Sequence, residues 1–412
     1  MKPVINTTPT IVGLDIGTSK IVAVVATITP DGQLEMIGFG SSPSTGLRRG
    51  VVVNIEATVN AIQTAVEEAQ VMAGCRIGKV WAGIAGSHIK SFNSHGMVAI
   101  RDREVSQHDI DSVLRTAQAV NIPADQRVLH TLIQEFIIDD QGEVREPLGM
   151  SGVRLEVKVH MVTGAVSAAE NIVKCVRRCG LEVEELVLQP IASATSVLHG
   201  DERDLGVVMV DIGGGTTDVA VYAGGAIRHT AVLPIAGDQI TNDIAMALRT
   251  PTKDAEDLKQ QHGYALRQLA DSTVGIEVPG VGDRQPRQSS RQTLANVIEP
   301  RVEELFSLVQ TELARAGFSE GLSSGVVLTG GSAAMPGMAE LGEEVFHMPV
   351  RIGQPNYNGP LAEFVRHPRY ATAIGLVQTG FESHRQREIE RIKEGPVKAF
   401  FRNARTWVQG NF

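Results

Sequence analysis

The chain has 412 residues, with 42% hydrophobic and 21% charged side chains, so it can form two or more domains with large cores. This balance excludes a disordered chain, a collagen-like chain and a polytopic membrane protein. Lys and Arg number 38 against 47 Asp and Glu, and the net charge of -9 argues against nucleic-acid binding through bulk electrostatics.

The first ten residues carry no signal-peptide pattern, since they lack an apolar core followed by small residues. The apolar stretch after them is broken by Gly13, Asp15 and Gly17. No other run approaches the ~18 uninterrupted apolar residues of a spanning helix. We therefore expect the chain to be cytoplasmic.

Two β-rich runs open the chain, at 11–14 and 20–27, and the polar stretch DIGTS at 15–19 joins them. This pattern predicts a strand, a tight turn and a returning strand. Apolar residues at helical spacing then predict a helix over 54–73, with Asn54 as its N-cap and a stop at Gly74.

The stretch from 84 to about 164 differs from the preceding segment in its pattern of apolar and polar residues. It contains strand patterns at 131–138 and 155–162 and a helix pattern near 109–120. We expect it to be a small α+β module inserted into the first half of the chain. A helix, a strand and a second helix are predicted after it, up to about residue 198.

The opening pattern then returns, because strand patterns at 207–210 and 219–222 flank DIGGGTTD at 211–218. Asp15 and Asp211 begin the two turns, and the spacing between them is on the scale of a domain. The sequence therefore predicts two related lobes, each presenting one such turn.

The remaining segments complete the second lobe. Between 237 and 293 a helical stretch precedes a Gly/Pro/Arg-rich segment, 279–291, which is predicted to be a mobile loop. A strand at 326–328 enters the turn TGGS at 329–332, which is expected to open a helix. Residues 382–394 are dense in charges of both signs and predict a solvated linker.

The chemistry of these turns suits a phosphorylated ligand. Gly, Thr and Ser turns expose backbone N–H groups and hydroxyls to phosphate oxygens, and Lys20 can neutralise phosphate charge. Asp15 and Asp211 would face one cleft, where two carboxylates can hold the waters of a Mg²⁺ ion. One such turn alone is more often a plain hairpin; the ordered repetition favours a site. Walker A and Rossmann fingerprints are absent.

Five motifs in order resemble those of the actin/Hsp70/sugar-kinase superfamily. GLDIGTSK at 13–20 resembles its phosphate-1 motif, VDIGGGTTD at 210–218 its phosphate-2 motif, LTGGSA at 328–333 its adenosine motif, and 189–194 and 371–376 its two connecting helices. The resemblance covers nearly the whole chain. It implies an α/β, actin-like ATPase fold with two duplicated lobes around a nucleotide cleft and an inserted α+β subdomain.

Within that superfamily the chain is most similar to the FtsA family of bacterial cell-division proteins, through SGVR at 151–154, RQTLA at 291–295 and IEPR at 298–301. The stretch 86–165 matches the position of that family's extra subdomain. The implied organisation is a first lobe at 1–85 and 166–198, an insert at 86–165, a second lobe at 199–236 and 294–380, a subdomain at 237–293, a linker at 381–395 and a C-terminal helix at 396–412.

The resemblance also implies roles for single residues, with ATP and Mg²⁺ as cofactors. Asp15 and Asp211 would hold Mg²⁺ through water. AEDLK at 255–259 resembles the segment by which bacterial actins contact adenosine. The implied nucleotide contacts are Gly17, Thr18, Ser19, Lys20, Gly213, Gly214, Gly215, Thr216, Thr217, Gly237, Glu256, Lys259, Gly330, Gly331, Ser332 and Met335.

Gln189 stands where actin has the glutamine that positions the attacking water. A polar residue at the start of a helix is an equally good interpretation of Gln189. The resemblance therefore implies at most a weak Mg-dependent ATPase activity, with Asp15, Asp211 and Gln189 as its catalytic candidates.

Basic residues of the second lobe form a candidate protein contact. Arg284 and Arg291 lie in or beside the 279–291 segment, and Arg301 lies nearby in the sequence. The resemblance implies that this lobe binds the acidic, apolar C-terminal tail of the tubulin homologue FtsZ. A solvated loop is the alternative interpretation.

The chain ends in a predicted amphipathic helix, which begins after Pro396. One face carries Val397, Phe400, Phe401, Ala404, Trp407 and Val408 at helical spacing, and Lys398, Arg402 and Arg405 lie off that face. Such a helix lies flat in an anionic membrane interface, although it is too short and polar to span one. A helix packed on the protein body is the alternative.

Taken together, the resemblance implies an ATP-binding protein that polymerises as a peripheral protein on the cytoplasmic face of the bacterial inner membrane, at the division site. It would anchor FtsZ polymers there and recruit later division proteins through 86–165. Two alternatives remain open: a superfamily kinase for a sugar or similar metabolite, although no motif identifies its catalytic Asp, and an actin-like scaffold of type IV pilus assembly, which a partner peptide would distinguish.

Overall fold

The protein is represented by a computed structural model that describes residues 9–318 and 320–389. The first lobe begins with the predicted hairpin and helix. Its elements are β1 (Thr10–Ile16), β2 (Lys20–Ile28), β3 (Leu34–Pro43), β4 (Leu47–Arg48), β5 (Val51–Val52), α1 (Ile55–Ala73) and β6 (Lys79–Ile84). The Asn54 side chain caps α1 by accepting a hydrogen bond of 3.1 Å from the backbone of Ala57.

The insert follows β6 and is an α+β module, as predicted. Its elements are β7 (Lys90–Ala99), α2 (Gln107–Gln118), β8 (Gln126–Ile138), β9 (Gln141–Val144) and β10 (Arg154–Ala165). They form one antiparallel sheet in the order β7-β10-β8-β9. Val113 and Ala117 of α2 pack on Leu155 and Val157 of β10, which gives the insert a core of its own.

The chain then completes the first lobe and builds the second. Its further elements are α3 (Val166–Arg178), β11 (Glu182–Leu188), α4 (Gln189–Val197), α5 (Gly200–Leu205), β12 (Val207–Ile212), β13 (Thr217–Ala223), β14 (Ala226–Leu233), α6 (Gly237–Leu248), α7 (Thr252–His262), β15 (Gly275–Val278), β16 (Arg287–Ser290), α8 (Arg291–Arg315), β17 (Val326–Thr329), α9 (Met338–Phe346), β18 (Val350–Ile352), α10 (Ala362–Val365) and the helix 371–389.

The two lobes share one topology, which confirms the predicted duplication. The first sheet has the order β11-β6-β1-β2-β3 and the second the order β18-β17-β12-β13-β14. In each sheet three strands form an antiparallel meander, and two further strands run parallel to its first strand. In each lobe a helix also joins the two parallel strands, α3 in the first lobe and α9 in the second.

The central strands of these sheets, including β1, β2, β12 and β13, are buried on both faces and are therefore largely continuous apolar runs. In β2, Ile21 and Ala23 face the core beneath α1 and α3, while Val22 and Val24 face the helix 371–389. The inner face of the second sheet packs on α4. The helices α4 and 371–389 therefore lie between the two sheets, where they connect the lobes.

The insert contacts the second lobe as well as the first. His160 of β10 is buried, with 1% of its surface exposed, and its Nε2 lies 2.9 Å from the Thr230 hydroxyl of β14. The Ser91 hydroxyl donates to the Thr230 carbonyl at 2.7 Å, and the Gln134 amide donates to the Ile227 carbonyl at 3.0 Å. Polar groups thus make much of this contact, although Leu132 adds an apolar side chain.

This polar contact predicts a stability that depends on pH. Burial, and secondarily the charge of His229, lowers the pKa of His160 from 6.5 to about 4. Between pH 6.5 and pH 4 the His160 ring is therefore protonated in the unfolded chain but neutral in the folded chain. The free energy of unfolding consequently falls as pH falls through this range, and His160 accounts for about 3 kcal/mol of the loss. We expect His160→Gln to flatten that part of the curve, measured as the urea midpoint between pH 7 and pH 4. An unchanged curve would contradict the assignment, and His108→Gln on the exposed side of α2 is the control.

Three predictions differ from the structure. The 279–291 segment includes β16, which pairs with β15; its polar residues gave no apolar pattern to reveal it, because the strand is held by backbone hydrogen bonds. The turn at 329–332 leads into a single 3₁₀ turn at Ser332–Ala334 before α9 begins. Residues 381–389 of the predicted linker continue the helix that starts at 371, and Arg387 donates to Glu184 at 2.8 Å.

The predicted C-terminal helix at 396–412 lies outside the described residues, as do residues 390–395 of the predicted linker. Within the described ranges, none of the helices combines the length and apolar character needed to cross a membrane.

Candidate functional site

A cavity of about 1120 Å³ lies between the two lobes. The turns after β1 and β12 form one part of its wall, and α6, α7 and the segment after β17 form another. Most of the nucleotide contacts that the resemblance implies line it: Gly17, Thr18, Ser19, Lys20, Gly213, Gly214, Gly215, Thr216, Gly237, Glu256, Lys259, Gly331, Ser332 and Met335. Asp15, Asp211 and Gln189 line it too.

Two of the implied contacts lie behind the cavity wall. Thr217 is fully buried in β13, and its hydroxyl donates to the Ile235 carbonyl at 2.6 Å. Gly330 has a φ of 89°, and a Cβ there would lie 2.3 Å from a carboxylate oxygen of Asp211. Thr217 and Gly330 therefore support the cavity wall from behind, whereas the adjacent residues Thr216 and Gly331 face the cavity.

The two glycine-containing turns meet across the cleft, where Gly214 and Gly215 lie against Ser19 and Thr18. The backbone N–H of Gly50 donates to the Thr18 hydroxyl oxygen at 3.0 Å. Because that bond uses Thr18 as an acceptor, its hydroxyl proton is free to donate into the cavity. The meeting point therefore presents hydroxyl groups, which suit an anion.

Three buried carboxylates stand at the base of these turns: Asp15, Asp211 and Asp218. Asp211 accepts hydrogen bonds from Ser193 at 2.6 Å and Thr372 at 3.3 Å. Burial raises the pKa of Asp15 to about 6, although Lys20 opposes the shift. Burial likewise raises the pKa of Asp211, and raises that of Asp218 well above its usual value. Crowded carboxylates of this kind favour a bound cation.

The same group passes a simple test for Mg²⁺. One carboxylate oxygen of the buried Asp218 has no hydrogen-bond partner, and Asp15 and Asp211 line the cavity beside it. Over 9–318 and 320–389, no three Asp, Glu, His or Cys side chains are grouped closely enough to ligate an ion together. Oxygen donors at this spacing fit a hydrated Mg²⁺ held through its waters.

Lys20 supplies positive charge at the first turn. Its amine donates to the Arg369 carbonyl at 2.6 Å and lies 3.9 Å from an Asp15 oxygen. Burial lowers its pKa, which Asp15 and Asp211 partly offset. The amine is thus fixed beside the carboxylates, where phosphate oxygens could reach it.

A second cluster of polar groups lies on α6 and α7. The Lys259 amine is 2.6 Å from a Glu256 oxygen and donates to the Thr241 hydroxyl at 2.8 Å and the Gly237 carbonyl at 3.1 Å. Lys259 is buried, so these partners hold it in one position. Glu256 is partly exposed at the cavity, so its carboxylate can accept hydrogen bonds from hydroxyl groups of a ligand.

Gln189 begins α4 and lines the cavity next to the first turn. Its side-chain nitrogen donates to Asp15 at 3.1 Å. This contact orients Asp15, and it leaves the side-chain oxygen of Gln189 available to a water molecule.

The cavity residues that sequence reasoning missed include Asp218, Asp238, Arg369 and Tyr370. Asp218 ends the second turn as Asp211 begins it, so the repeated carboxylate was a signal. Arg369 and Tyr370 immediately precede the predicted connecting helix at 371, whose start points at the cleft. Lys20 lies 5.5 Å from the centre of the Tyr370 ring.

The three arginines assigned to a protein contact do not form one cluster. The Arg301 guanidinium makes two contacts with the Asp243 carboxylate, one of them 3.1 Å long, and it also pairs with Glu304. The Arg291 guanidinium lies 5.4 Å from the centre of the Tyr264 ring. Both arginines are on α8, about 15 Å apart at the rise of an α-helix, and Arg284 is exposed between β15 and β16.

Comparisons with known proteins give two family matches. A model described as "Cell division protein FtsA" matches residues 208–375, and one described as "SHS2 domain inserted in FTSA" matches residues 86–163. The chain is 59% identical to the cell division protein FtsA of Pseudomonas aeruginosa, with 98% of each chain covered. It is 45% identical to that of Escherichia coli K12, again with 98% of each covered. It is 40% identical to that of Bacillus subtilis, which covers 89% of this chain and 82% of the relative.

Solved structures are similar in fold. The PilM-PilN type IV pilus biogenesis complex aligns with a TM-score of 0.65 at 17% identity, covering 90% of this chain and 98% of that one. MreB5 of Spiroplasma citri bound to ADP aligns with a TM-score of 0.57 at 16% identity, covering 93% and 99%. At these identities the likeness concerns the fold, which is the two-lobed actin-like fold that the motif resemblance implies.

Proposed function

The chain belongs to the FtsA family of cell-division proteins, and from that membership we propose that it is an ATP-binding protein that assembles at the membrane and tethers other division proteins there. The observation that carries the proposal is the cavity between the lobes, where two facing turns of Gly, Thr and Ser stand over buried carboxylates and Lys20. This combination suits a metal-bound polyphosphate.

In the proposed complex, backbone N–H groups of Gly214–Thr216 and the hydroxyls of Thr18 and Ser19 bind phosphate oxygens, since the Gly213 N–H already donates to the Thr216 carbonyl at 3.0 Å. Asp15 and Asp211 would hold Mg²⁺ through water, and Asp218 would add a third carboxylate beside them. When bound, Mg²⁺ supplies positive charge that offsets the phosphates. Glu256 and Lys259 hold the nucleoside, together with the segment from Gly331 to Met335.

Hydrolysis would be weak in this arrangement. The Gln189 side-chain nitrogen already donates to Asp15 at 3.1 Å and to the Ile16 carbonyl at 3.5 Å, so only the side-chain oxygen is available to orient a water. We propose that ATP acts chiefly as a ligand that holds the lobes together, with Gln189 and Asp15 supporting slow turnover.

We expect Lys20→Ala to weaken ATP binding by roughly 10-fold to 100-fold, because a charge-assisted contact of this kind is worth about 1.5–3 kcal/mol. The measurement is a titration with a fluorescent ATP analogue in Mg²⁺. Lys253→Ala is the control, since Lys253 lies on the exposed side of α7 at the rim of the same cavity. Equal ATP affinities of the Lys20→Ala variant and the unchanged protein would show that Lys20 does not bind ATP.

The partners follow from the same membership. We propose that the predicted helix at 396–412 anchors the protein to anionic lipid at the cytoplasmic face of the inner membrane, as a peripheral protein. The segment 237–293, with Arg284, Arg291 and Arg301, would bind the FtsZ C-terminal tail. Arg284 and Arg291 are the better candidates, because Arg301 is already paired with Asp243 and Glu304. The insert would contact later division proteins and the next copy in a filament.

One experiment tests the adaptor role. Liposomes containing anionic lipid are sedimented with the full chain and an FtsZ tail peptide, with and without ATP. We expect the peptide to co-sediment with the full chain and to remain in the supernatant when residues 396–412 are removed, because the protein then stays in solution. Peptide that does not co-sediment with lipid-bound protein would contradict the FtsZ role. Undiminished lipid binding by the truncated protein would contradict the anchor.

A further inference from the structure

Arg369 is a cavity residue that neither the sequence motifs nor the proposed contacts explain. It lies in the 3₁₀ turn Pro368–Tyr370, directly before the helix 371–389, and it lines the cavity between the lobes. Its Cβ lies 3.9 Å from the position that a Cβ on Gly331 would take. The side chain therefore starts at the second-lobe wall of the site.

The backbone of Arg369 is held in place by groups of the site. Lys20, from the opposite lobe, donates to its carbonyl at 2.6 Å. Its backbone N–H donates to the His367 ring at 3.2 Å. Thr372, one turn further along, donates to Asp211 at 3.3 Å. The segment is thus tied both to the first turn and to the second carboxylate.

The Arg369 guanidinium itself has no protein partner among residues 9–318 and 320–389: no hydrogen bond reaches it, and no carboxylate lies within 4.0 Å. Other cations of the cavity differ. Lys259 is paired with Glu256 at 2.6 Å, Lys20 lies 3.9 Å from Asp15, and Lys253 stands on the exposed side of α7. Among the residues that the structure describes, Arg369 is thus a half-buried cation of the cavity that lacks a counter-charge.

The positive charge of Arg369 affects the titration of a neighbouring side chain. After the effect of burial, it contributes to the lowered pKa of His367. Like charges facing one partly buried space repel each other, and an anion placed between them removes that repulsion. An anion that enters between Lys20 and Arg369 would be attracted by both cations.

We propose that Arg369 binds the phosphates of the nucleotide as a second cation opposite Lys20, an inference that rests on the proposed ATP site. A guanidinium can donate two parallel hydrogen bonds to phosphate oxygens, which a lysine cannot. Lys20 would approach from the first lobe and Arg369 from the second. The phosphates would thus be held from both sides of the cleft, and the pair would favour the polyphosphate over the nucleoside.

The test compares the affinities of ATP and adenosine, measured by competition with a fluorescent ATP analogue on the full chain in Mg²⁺. Arg369→Ala is expected to weaken ATP binding by about 10-fold or more and to leave adenosine within 2-fold. Arg369→Lys should recover part of the ATP affinity, because it keeps the charge and loses the second hydrogen bond. Arg366→Ala is the matched control, since Arg366 is exposed three residues earlier and does not line the cavity.

Each other outcome overturns the assignment. ATP affinity within 2-fold in Arg369→Ala means that the guanidinium does not contact the phosphates. An equal loss for ATP and adenosine places it on the nucleoside or in the fold, and thermal melting of both Arg369 variants separates these two cases. If the unchanged protein binds neither ligand, the ATP site itself fails, which is distinct from a failure of Arg369 alone.

Discussion

A Gly375→Ala variant is expected to lose about 3–5 kcal/mol of folding stability, a large share of the ~5–15 kcal/mol that folded proteins typically have. Gly375 lies in the helix 371–389, where it crosses α4. A Cβ at this position would lie 1.7 Å from the Ala192 carbonyl oxygen and 2.3 Å from its carbon. No rotamer change relieves a contact with backbone, so the two connecting helices must separate.

The sign of this effect is opposite to that of an ordinary helical glycine. Alanine in place of glycine within an exposed helix gains about 1 kcal/mol from helix propensity. Gly200→Ala is the matched control, because Gly200 is helical in α5 and nothing lies within 4 Å of its added Cβ. We expect it to keep the thermal midpoint or raise it, while Gly375→Ala lowers the midpoint or the soluble yield. A stabilised Gly375→Ala would mean that the helices do not cross here.

The second large effect is expected at the site itself. Gly330→Ala should reduce ATP affinity by at least about 10-fold and cost about 3 kcal/mol of stability. The φ of 89° at Gly330 is unfavourable for alanine, and the new Cβ would lie 2.3 Å from an Asp211 oxygen and 2.5 Å from the Ile212 carbonyl. The carboxylate would have to leave the position that Ser193 and Thr372 now hold.

The neighbouring glycine provides the comparison. A Cβ on Gly331 would meet only the Arg369 Cβ, at an ordinary 3.9 Å, and its φ of -62° suits alanine. Gly331→Ala should therefore keep both the thermal midpoint and the alignment of Asp211. ATP titration and thermal melting of the two variants, side by side, check this. Because Gly331 is itself a proposed nucleoside contact, the thermal midpoints decide this comparison: equal midpoints would show that Asp211 is not constrained by the Gly330 backbone.

Much of the fold could be predicted from sequence where local pattern and packing agree. The strand-turn-strand units around Asp15 and Asp211 were predictable, because apolar runs that are buried on both faces bound short turns of Gly, Thr and Ser. The helix α1 was predictable from apolar spacing and from Asn54 as its cap. The cavity followed from these turns, since duplicated lobes bring them face to face.

The rest depends on contacts between distant parts of the chain. The strand β16 carries no apolar pattern, because it is polar and held only by pairing with β15. The helix 371–389 continues beyond its apolar face because charged side chains stabilise its last turns. One such contact is the hydrogen bond from Arg387 to Glu184. The contact of His160 with Thr230 and the placement of Arg369 need the two lobes to be folded before they exist, so no local pattern could reveal them.

The shared topology of the lobes has a consequence for splicing additional domains into this chain. The insert occupies the connection between β6 and α3, and the same connection in the second lobe, from β17 to α9, carries Gly331 and Ser332 into the cavity wall. One copy of this junction is therefore open to extra sequence and the other is closed to it. A reporter domain grafted after Thr329 would break the cavity wall, because Gly331 and Ser332 line it.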